Sequence, residues 1–219
     1  MNFKALVPAL LIAVTATGFG MMSSTNTALA TSTSSASAGA EIGKAAPAFS
    51  LMDTDGKKVS LADFKGKTVV LEWFCPTCPY SGGRGARSIH ASGKVGALMT
   101  SMKKADPDAV YLLIDSSTKK MRTTAEKLAK QDAALKKKYG ITAPILIDAD
   151  TGVAKAYGAK TTPHVFVIDG EGILRYQGAF DDQKDGGTNY VLTSVTAIKK
   201  GEKVEPTYVR QYGCGVRTN

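Results

Sequence analysis

Two of the three cysteines in this 219-residue chain lie close together in the segment LEWFCPTCPY, residues 71–80. Cys75 and Cys78 are separated by two residues, a spacing that suits a redox-active dithiol, half of a metal site, a peroxidatic centre or a structural disulfide. In thiol–disulfide exchange one thiolate attacks a disulfide and a second thiol resolves the mixed disulfide, so a close pair supplies both. A purely structural bond is disfavoured, because a loop this short restrains little chain entropy.

The dithiol directly follows a segment that is predicted to be a buried strand. Residues 68–74, TVVLEWF, are mostly apolar, β-branched or aromatic, as in strands that are covered on both faces. We expect a helix to begin at once, so that Cys75 lies at its N-terminus, where unpaired N–H groups stabilise a thiolate. Cys78 then lies one turn further along on the same face. This placement predicts that Cys75 attacks and Cys78 resolves.

Other residues near the dithiol are candidates for proton transfer and substrate binding. Glu72 is costly in a buried strand unless it is used or paired, so it is predicted to lie beneath the dithiol and accept a proton from Cys78. The alternative is that Glu72 points outward and pairs with a lysine. Pro163 precedes another strand, and in the cis form its loop would offer a backbone edge to a substrate peptide. Thr162 and Trp73 are the candidate substrate contacts.

Cys214 and His164 leave alternatives open. Cys214 lies five residues from the end of the chain. It is either a third redox thiol that reaches Cys75 or Cys78 as the tail folds back, or an unpaired or intermolecular cysteine. Cys75, Cys78 and His164 would together suit Cu(I) or Zn(II), which would make the protein a copper-handling chaperone. The dithiol hypothesis needs no metal and no cofactor besides the redox-active disulfide.

The first thirty residues have the pattern of a secretory signal peptide. An apolar run follows Lys4, the only charged side chain in this part of the chain, and the small-x-small ending predicts cleavage after Ala30. Residues 31–41, which are small and polar, are predicted to be a flexible linker. We therefore expect a periplasmic or secreted protein without stable membrane insertion after cleavage. Its net charge of +9 does not indicate nucleic-acid binding, because an exported protein rarely meets nucleic acid. The expected partners are thiol or disulfide redox partners.

The rest of the sequence predicts an α/β domain over residues 42–203, followed by a tail, residues 204–219, that carries Cys214. A hairpin is predicted around Asp55-Gly56, since Asp-Gly between two short runs favours a tight turn. Early alternation of strands and helices, with a second hairpin late in the chain, implies a mixed central sheet with helices on both faces. The further predicted strands are residues 109–115, 144–148, 164–169 and 173–180, and the predicted helices are residues 98–104, 123–139, 153–157 and 189–200.

Several motifs resemble the alkyl hydroperoxide reductase/thiol-specific antioxidant group of thioredoxin-fold redoxins. The segment APAFSLMDTDGKKVSLADFKGKTVVLEWF resembles the opening of these proteins. The motifs AKTTPHVFVIDGEGILRYQGAFDD, NYV and the terminal YGC are similar to those of exported, peroxiredoxin-like members of the thioredoxin family in bacteria. The resemblance covers residues 42–216. It implies a thioredoxin-like fold, an antioxidant or redoxin type of oxidoreductase activity, and a cis Pro163 that faces the dithiol.

The chain departs from the pattern of these families at two places. Many of the exported relatives have Asn where this chain has Cys75, so Cys78 is the more characteristic cysteine. True peroxiredoxins have Thr or Ser three residues before the peroxidatic cysteine and Pro further upstream. If Cys78 is aligned there, these positions hold Cys75 and Leu71, and the hydroxyl that activates peroxide is absent. An alignment with thioredoxins uses both cysteines and places Glu72 near the buried acid of that family.

We therefore predict an exported thiol–disulfide oxidoreductase that uses a Cys75–Cys78 dithiol in exchange with protein or small-molecule thiols. One alternative is a thiol peroxidase in which Cys78 is peroxidatic and Cys75 or Cys214 resolves. A second alternative is the copper-handling chaperone, which binds its metal through the dithiol and His164. A third is a redoxin scaffold kept as a binding module, in which the two cysteines do not cycle.

Overall fold

The computed structural model describes residues 39–218, and the predicted signal peptide and residues 31–38 of the predicted linker lie outside this range. Ten strands are assigned within the described residues: β1 (Ser50–Asp53), β2 (Lys58–Ser60), β3 (Val69–Phe74), β4 (Val110–Asp115), β5 (Ile145–Ile147), β6 (Thr161–Thr162), β7 (Val165–Ile168), β8 (Leu174–Gly178), β9 (Tyr208–Val209) and β10 (Cys214–Gly215). Eight of them form one sheet in the order β2-β1-β5-β4-β3-β7-β8-β9, and β10 pairs with β6. β3 is parallel to β4 and antiparallel to β7, so the sheet is mixed as predicted.

The helices are α1 (Lys94–Ala105), α2 (Thr118–Met121), α3 (Ala125–Tyr139), α4 (Gly152–Tyr157) and α5 (Tyr190–Lys200). Three helices begin and end within two residues of the predicted bounds, α1 begins four residues earlier than predicted, and α2 was not predicted. The side chain of Thr124 caps α3 by accepting from the Lys127 backbone N–H, and Gly140 ends the helix in the left-handed conformation. None of the helices within residues 39–218 combines the length and apolarity needed to cross a bilayer.

Two hydrophobic cores cover the two faces of the sheet, because successive side chains of each central strand point in opposite directions. Along β3, Val70 and Phe74 belong to the core beneath α1 and α5, whereas Leu71 and Trp73 belong to the opposite core, which includes residues of α4. The prediction of helices on both faces is therefore confirmed. All six residues of β3 are buried, so whatever follows this strand is held by the centre of the molecule.

The predicted helix after Cys75 is wrong. Residues 75–92 form a series of turns, and the first helix begins only at Lys94. A helix starting at Cys75 would need an N–H at residue 79 to donate to the Cys75 carbonyl, but that residue is Pro79, which has none. The Cys75 carbonyl instead accepts from the N–H groups of Cys78 and Gly82, at 3.2 and 3.0 Å.

Both ends of the predicted domain also need correction. The last residues of the predicted linker are packed rather than free, since Ala40 is buried in the core on the α4 side of the sheet. The predicted tail is folded as well. Val204 is buried in the other core, β9 extends the main sheet beside β8, and β10 pairs with β6. The domain within the described residues therefore runs from Gly39 to Thr218.

Truncation of a core residue tests the two-sided burial of the sheet. Leu112 is fully buried in the centre of β4, so Leu112→Ala should lower the free energy of unfolding by about 2–5 kcal/mol. Met52 in β1 is 49% exposed, and Met52→Ala should change that free energy by less than about 0.5 kcal/mol. Urea unfolding of the two variants measures both values. Equal losses would contradict the assignment of Leu112 to the core.

Candidate active site

The two cysteines of the dithiol lie at the carboxyl end of β3, and both are buried. Cys75 has no exposed surface and Cys78 is 1% exposed. The backbone N–H of Cys75 lies 3.4 Å from the Ser81 hydroxyl, and the sulfur of Cys75 lies 3.5 Å from the Thr77 hydroxyl. All three cysteines of the chain are free thiols in this structure. The pair is thus positioned by the strand before it and by the turns after it.

Cys78 lies against the loop that carries Pro163. The Thr162–Pro163 peptide bond is cis, as the family resemblance implied, and the Cys78 thiol donates to the Thr162 carbonyl oxygen at 3.0 Å. Burial by itself would raise the pKa of Cys78. Hydrogen bonds from the Cys214 thiol, the Thr162 side chain and two backbone N–H groups outweigh burial and lower that pKa below its ordinary value. These hydrogen bonds favour ionisation of the sulfur next to the cis-proline loop, whereas its own bond to the Thr162 carbonyl is made by the protonated thiol.

Cys214 is brought to the site by strand pairing. β10 pairs antiparallel with β6, so that Cys214 lies opposite Thr162. The Thr162 carbonyl oxygen in turn accepts from the Cys78 thiol, so Cys214 lies beside Cys78, and it is the most exposed of the three cysteines. Burial and the Cys78 sulfur raise the pKa of Cys214 to about 11. Of the two thiols, Cys78 is therefore the one that ionises more readily.

Glu72 points into the protein, and the alternative of an outward-facing side chain is wrong. Its carboxylate accepts from the Tyr111 hydroxyl at 2.7 Å, lies 2.9 Å from Nε2 of His90, and accepts from the Ser81 hydroxyl at 3.4 Å. Burial and the charge of Glu72 raise the pKa of Tyr111 well above its ordinary value. Because Ser81 also accepts from the Cys75 N–H, one hydroxyl links Glu72 to the dithiol loop.

Trp73 and His164 do not have the surroundings that their predicted roles require. Trp73 is fully buried, and its indole N–H donates to the Ser116 hydroxyl at 3.1 Å, so it ties β3 to the end of β4. His164 accepts from the Lys160 backbone N–H at 3.2 Å, and burial lowers its pKa to about 3. Within residues 39–218 no three His, Cys, Asp or Glu side chains are grouped as metal ligands, so His164 and the dithiol do not form the predicted metal set.

A buried pair of carboxyl groups near Cys75 was missed by the sequence analysis. Asp115 ends β4 directly opposite Phe74, and Asp132 projects from α3 with no exposed surface. Burial and the charge of Asp115 raise the pKa of Asp132 to about 10, whereas burial raises that of Asp115 to about 6. The signal was present in the periodicity of α3, because Asp132 lies one helical turn after the buried Leu128.

A profile of the Redoxin family matches residues 41–192 of the chain. Since that match spans well over half of the sequence, the protein belongs to the Redoxin family. Within that family it is an oxidoreductase with a thioredoxin-like fold.

Named relatives and solved structures agree with this membership. A thioredoxin-like protein, YneN of Bacillus subtilis, is 30% identical over 137 residues, which cover 63% of this chain and 71% of YneN. The thiol-disulfide oxidoreductase ResA of Bacillus thuringiensis is 30% identical over 142 residues, covering 60% of this chain and 66% of ResA. The crystal structure of a hypothetical protein from Sinorhizobium meliloti 1021 superposes with a TM-score of 0.66 at 28% identity, covering 82% of this chain and 95% of that one.

The raised pKa of Asp132 predicts how the free energy of unfolding changes with pH. The folded-state pKa of Asp132, about 10, lies above its ordinary value of 3.8. The folded protein therefore keeps a proton that the unfolded chain releases, and the contribution of Asp132 to stability falls as pH rises through this range. Asp132→Asn keeps the size of the side chain but does not titrate. It should be about 1–2 kcal/mol more stable than wild type at pH 9 and nearly equal at pH 4.

Urea unfolding at pH 4, 7 and 9 measures this difference. Both proteins contain the same three cysteines, so thiol ionisation affects both curves equally. Parallel stability profiles for the two proteins would show that Asp132 does not hold a proton in the folded state.

Proposed function

We propose that this protein is an exported thiol–disulfide oxidoreductase in which Cys78 is the attacking thiolate and Cys75 is the second thiol of a redox-active dithiol. The observation that carries this proposal is the position of the Cys78 sulfur beside the loop of the cis Pro163, where hydrogen bonds from neighbouring groups lower its pKa. A thiolate with a lowered pKa is both a better-populated nucleophile and a better leaving group. The relatives named as thiol-disulfide oxidoreductases support the same chemistry.

The order of attack differs from the one predicted from the sequence. That prediction depended on a helix N-terminus at Cys75, and the structure has turns there instead. In the proposed reaction the Cys78 thiolate attacks a substrate disulfide, one substrate thiolate leaves, and Cys75 then attacks the Cys78 sulfur. The second substrate thiol is released and a Cys75–Cys78 disulfide remains, so two electrons pass to the substrate. Export to the periplasm or beyond is supported by the pattern of the first thirty residues.

Reduction of insulin by dithiothreitol tests the proposed activity. The mature protein, residues 31–219, should accelerate insulin precipitation. Cys78→Ser should lower this catalysis by about 100-fold or more, because the Cys78 sulfur takes part in both exchange steps. Ser92→Ala, a change at an exposed position outside the site, should leave catalysis unchanged. Full activity of Cys78→Ser would exclude the proposed function.

Glu72 is proposed to act as the buried base beneath the dithiol loop, to which the Ser81 hydroxyl ties it through the Cys75 backbone N–H. Glu72→Gln keeps the size of the side chain but cannot accept a proton, so release of a mixed disulfide should slow by about tenfold or more at neutral pH. Tyr111→Phe is the matched control, because it removes one hydrogen bond to the same carboxylate and leaves the acid in place. Stopped-flow measurement of disulfide release from pH 5 to 9 gives the rates. An identical profile for wild type and Glu72→Gln would exclude this role.

A thiol peroxidase is the second candidate, and the contact between Cys78 and Cys214 favours it. The two thiols would serve as the peroxidatic and resolving cysteines, the arrangement expected for an intramolecular pair. Peroxide consumption that persists in Cys75→Ser and is lost in Cys78→Ser, without insulin reduction by the wild type, would support this candidate over the first.

A further inference from the structure

The C-terminal segment, residues 208–218, is fixed over the dithiol by several specific contacts. The ring of Tyr212 packs against Tyr80, with centroids 6.1 Å apart, and its hydroxyl donates to Asp181 at 2.5 Å. Gly213 has a φ of 114°, and a Cβ at this position would overlap the Thr162 carbonyl oxygen. Only glycine combines this conformation with so close an approach. The segment is therefore built to pass directly beside the loop that Cys78 contacts.

The same segment occupies the backbone edge that a substrate peptide would use. Cys214 and Gly215 pair antiparallel with Thr162 and Thr161, and the Val216 N–H donates to the Lys160 carbonyl at 3.0 Å. A peptide that docks by strand addition needs these same backbone groups. Since they are already paired, an extended substrate cannot take this edge while the segment is in place.

The three thiols also differ in how an outside molecule could reach them. Cys75 and Cys78 are buried, whereas Cys214 is partly exposed. The small cleft beside Cys75 is itself bordered by Gly215 and Val216 of the C-terminal segment. A thiol or disulfide that approaches from solvent therefore meets Cys214 before either sulfur of the dithiol.

We propose that Cys214 is a relay thiol, through which an outside thiol reduces the buried Cys75–Cys78 disulfide once it has formed. This inference rests on the thiol–disulfide exchange proposed above and names the path by which its disulfide is turned back into a dithiol. The outside thiol then contacts Cys214 and needs no extended peptide beside Pro163.

The relay can be written as three exchange steps that balance. Starting from the oxidised dithiol, the Cys214 sulfur attacks Cys78, forms a Cys78–Cys214 disulfide and releases Cys75, which takes the proton that Cys214 gives up. An outside thiolate then attacks the Cys214 sulfur and frees Cys78 as a thiolate. A second outside thiolate attacks the outside sulfur of the mixed disulfide, and Cys214 leaves and is protonated. Two outside thiols have become a disulfide, and Cys75 and Cys78 are both reduced.

The local chemistry favours this route over direct attack on Cys78. Rates of exchange depend on which sulfur is accessible and rise as the pKa of the leaving thiol falls. The Cys214 sulfur is partly exposed and can be attacked from solvent. Attack at Cys78 would require an outside thiolate to reach a residue that is only 1% exposed.

Two variants of the mature protein, oxidised with diamide and reduced with glutathione, test the relay. In Cys75→Ser a Cys78–Cys214 disulfide should form, and acid quenching with mass mapping should find the first glutathione on Cys214. In Cys214→Ser the Cys75–Cys78 disulfide should still form, but its reduction by glutathione should slow by about tenfold or more. Arg210→Ala, an exposed change in the same segment, should be reduced at the wild-type rate.

The outcomes separate the relay from the proposed function. The relay would be overturned by equal reduction rates for wild type and Cys214→Ser, or by glutathione found first on Cys78. The proposed dithiol activity would remain supported if Cys78→Ser still loses insulin reduction. If Cys78→Ser keeps that activity, the proposed function fails and the relay fails with it. Cooperative urea unfolding of Cys214→Ser shows that this variant is folded, and if it does not fold the glutathione mapping in Cys75→Ser decides the question alone.

Discussion

The rest of the structure depends on the complete burial of β3, which is paired on both edges and covered on both faces. Because the strand cannot shift, its carboxyl end is a fixed point from which the reactive residues are placed. Cys75 follows it directly, and the register that sets Phe74 opposite Asp115 brings the end of β4 to the same place. The Trp73–Ser116 hydrogen bond ties the two strand ends together. The precision that thiol exchange needs therefore comes from the sheet.

Burial of so many ionisable groups at one end of the sheet is costly unless each charge has a partner. Glu72 is satisfied by three donors, and Asp132 holds a proton next to Asp115. For the two thiols, hydrogen bonds lower the pKa of Cys78, whereas burial and the Cys78 sulfur raise that of Cys214. In each case neighbouring groups decide which member of the set carries the charge, because burial alone disfavours charge on all of them.

The turns after β3 change how a thiolate is stabilised. In a helix-based dithiol the first cysteine would benefit from the unpaired N–H groups of the helix. Here Pro79 and the glycines that follow it prevent that helix, and the stabilising groups come from distant parts of the chain, the cis-proline loop and the C-terminal segment. This is why the thiol with the lowered pKa is Cys78, which faces that loop, and why the final residues of the chain belong to the site.

The sequence alone determined the mixed sheet, the hairpin around Asp55-Gly56 and the helix ended by Gly140, because these features follow from local patterns of apolar residues and turn residues. It also determined that the CPTC segment follows a buried strand and that Glu72 has an unusual position within it. Only the tertiary structure decided which residues the reactive side chains contact. His90 lies 18 positions after Glu72, beyond the turns that follow β3, and no periodicity links the two residues. Cys214 reaches Cys78 through a two-residue strand pairing that is too short to leave a sequence pattern. Which thiol attacks first depends on these contacts between distant segments, and local propensity does not encode them.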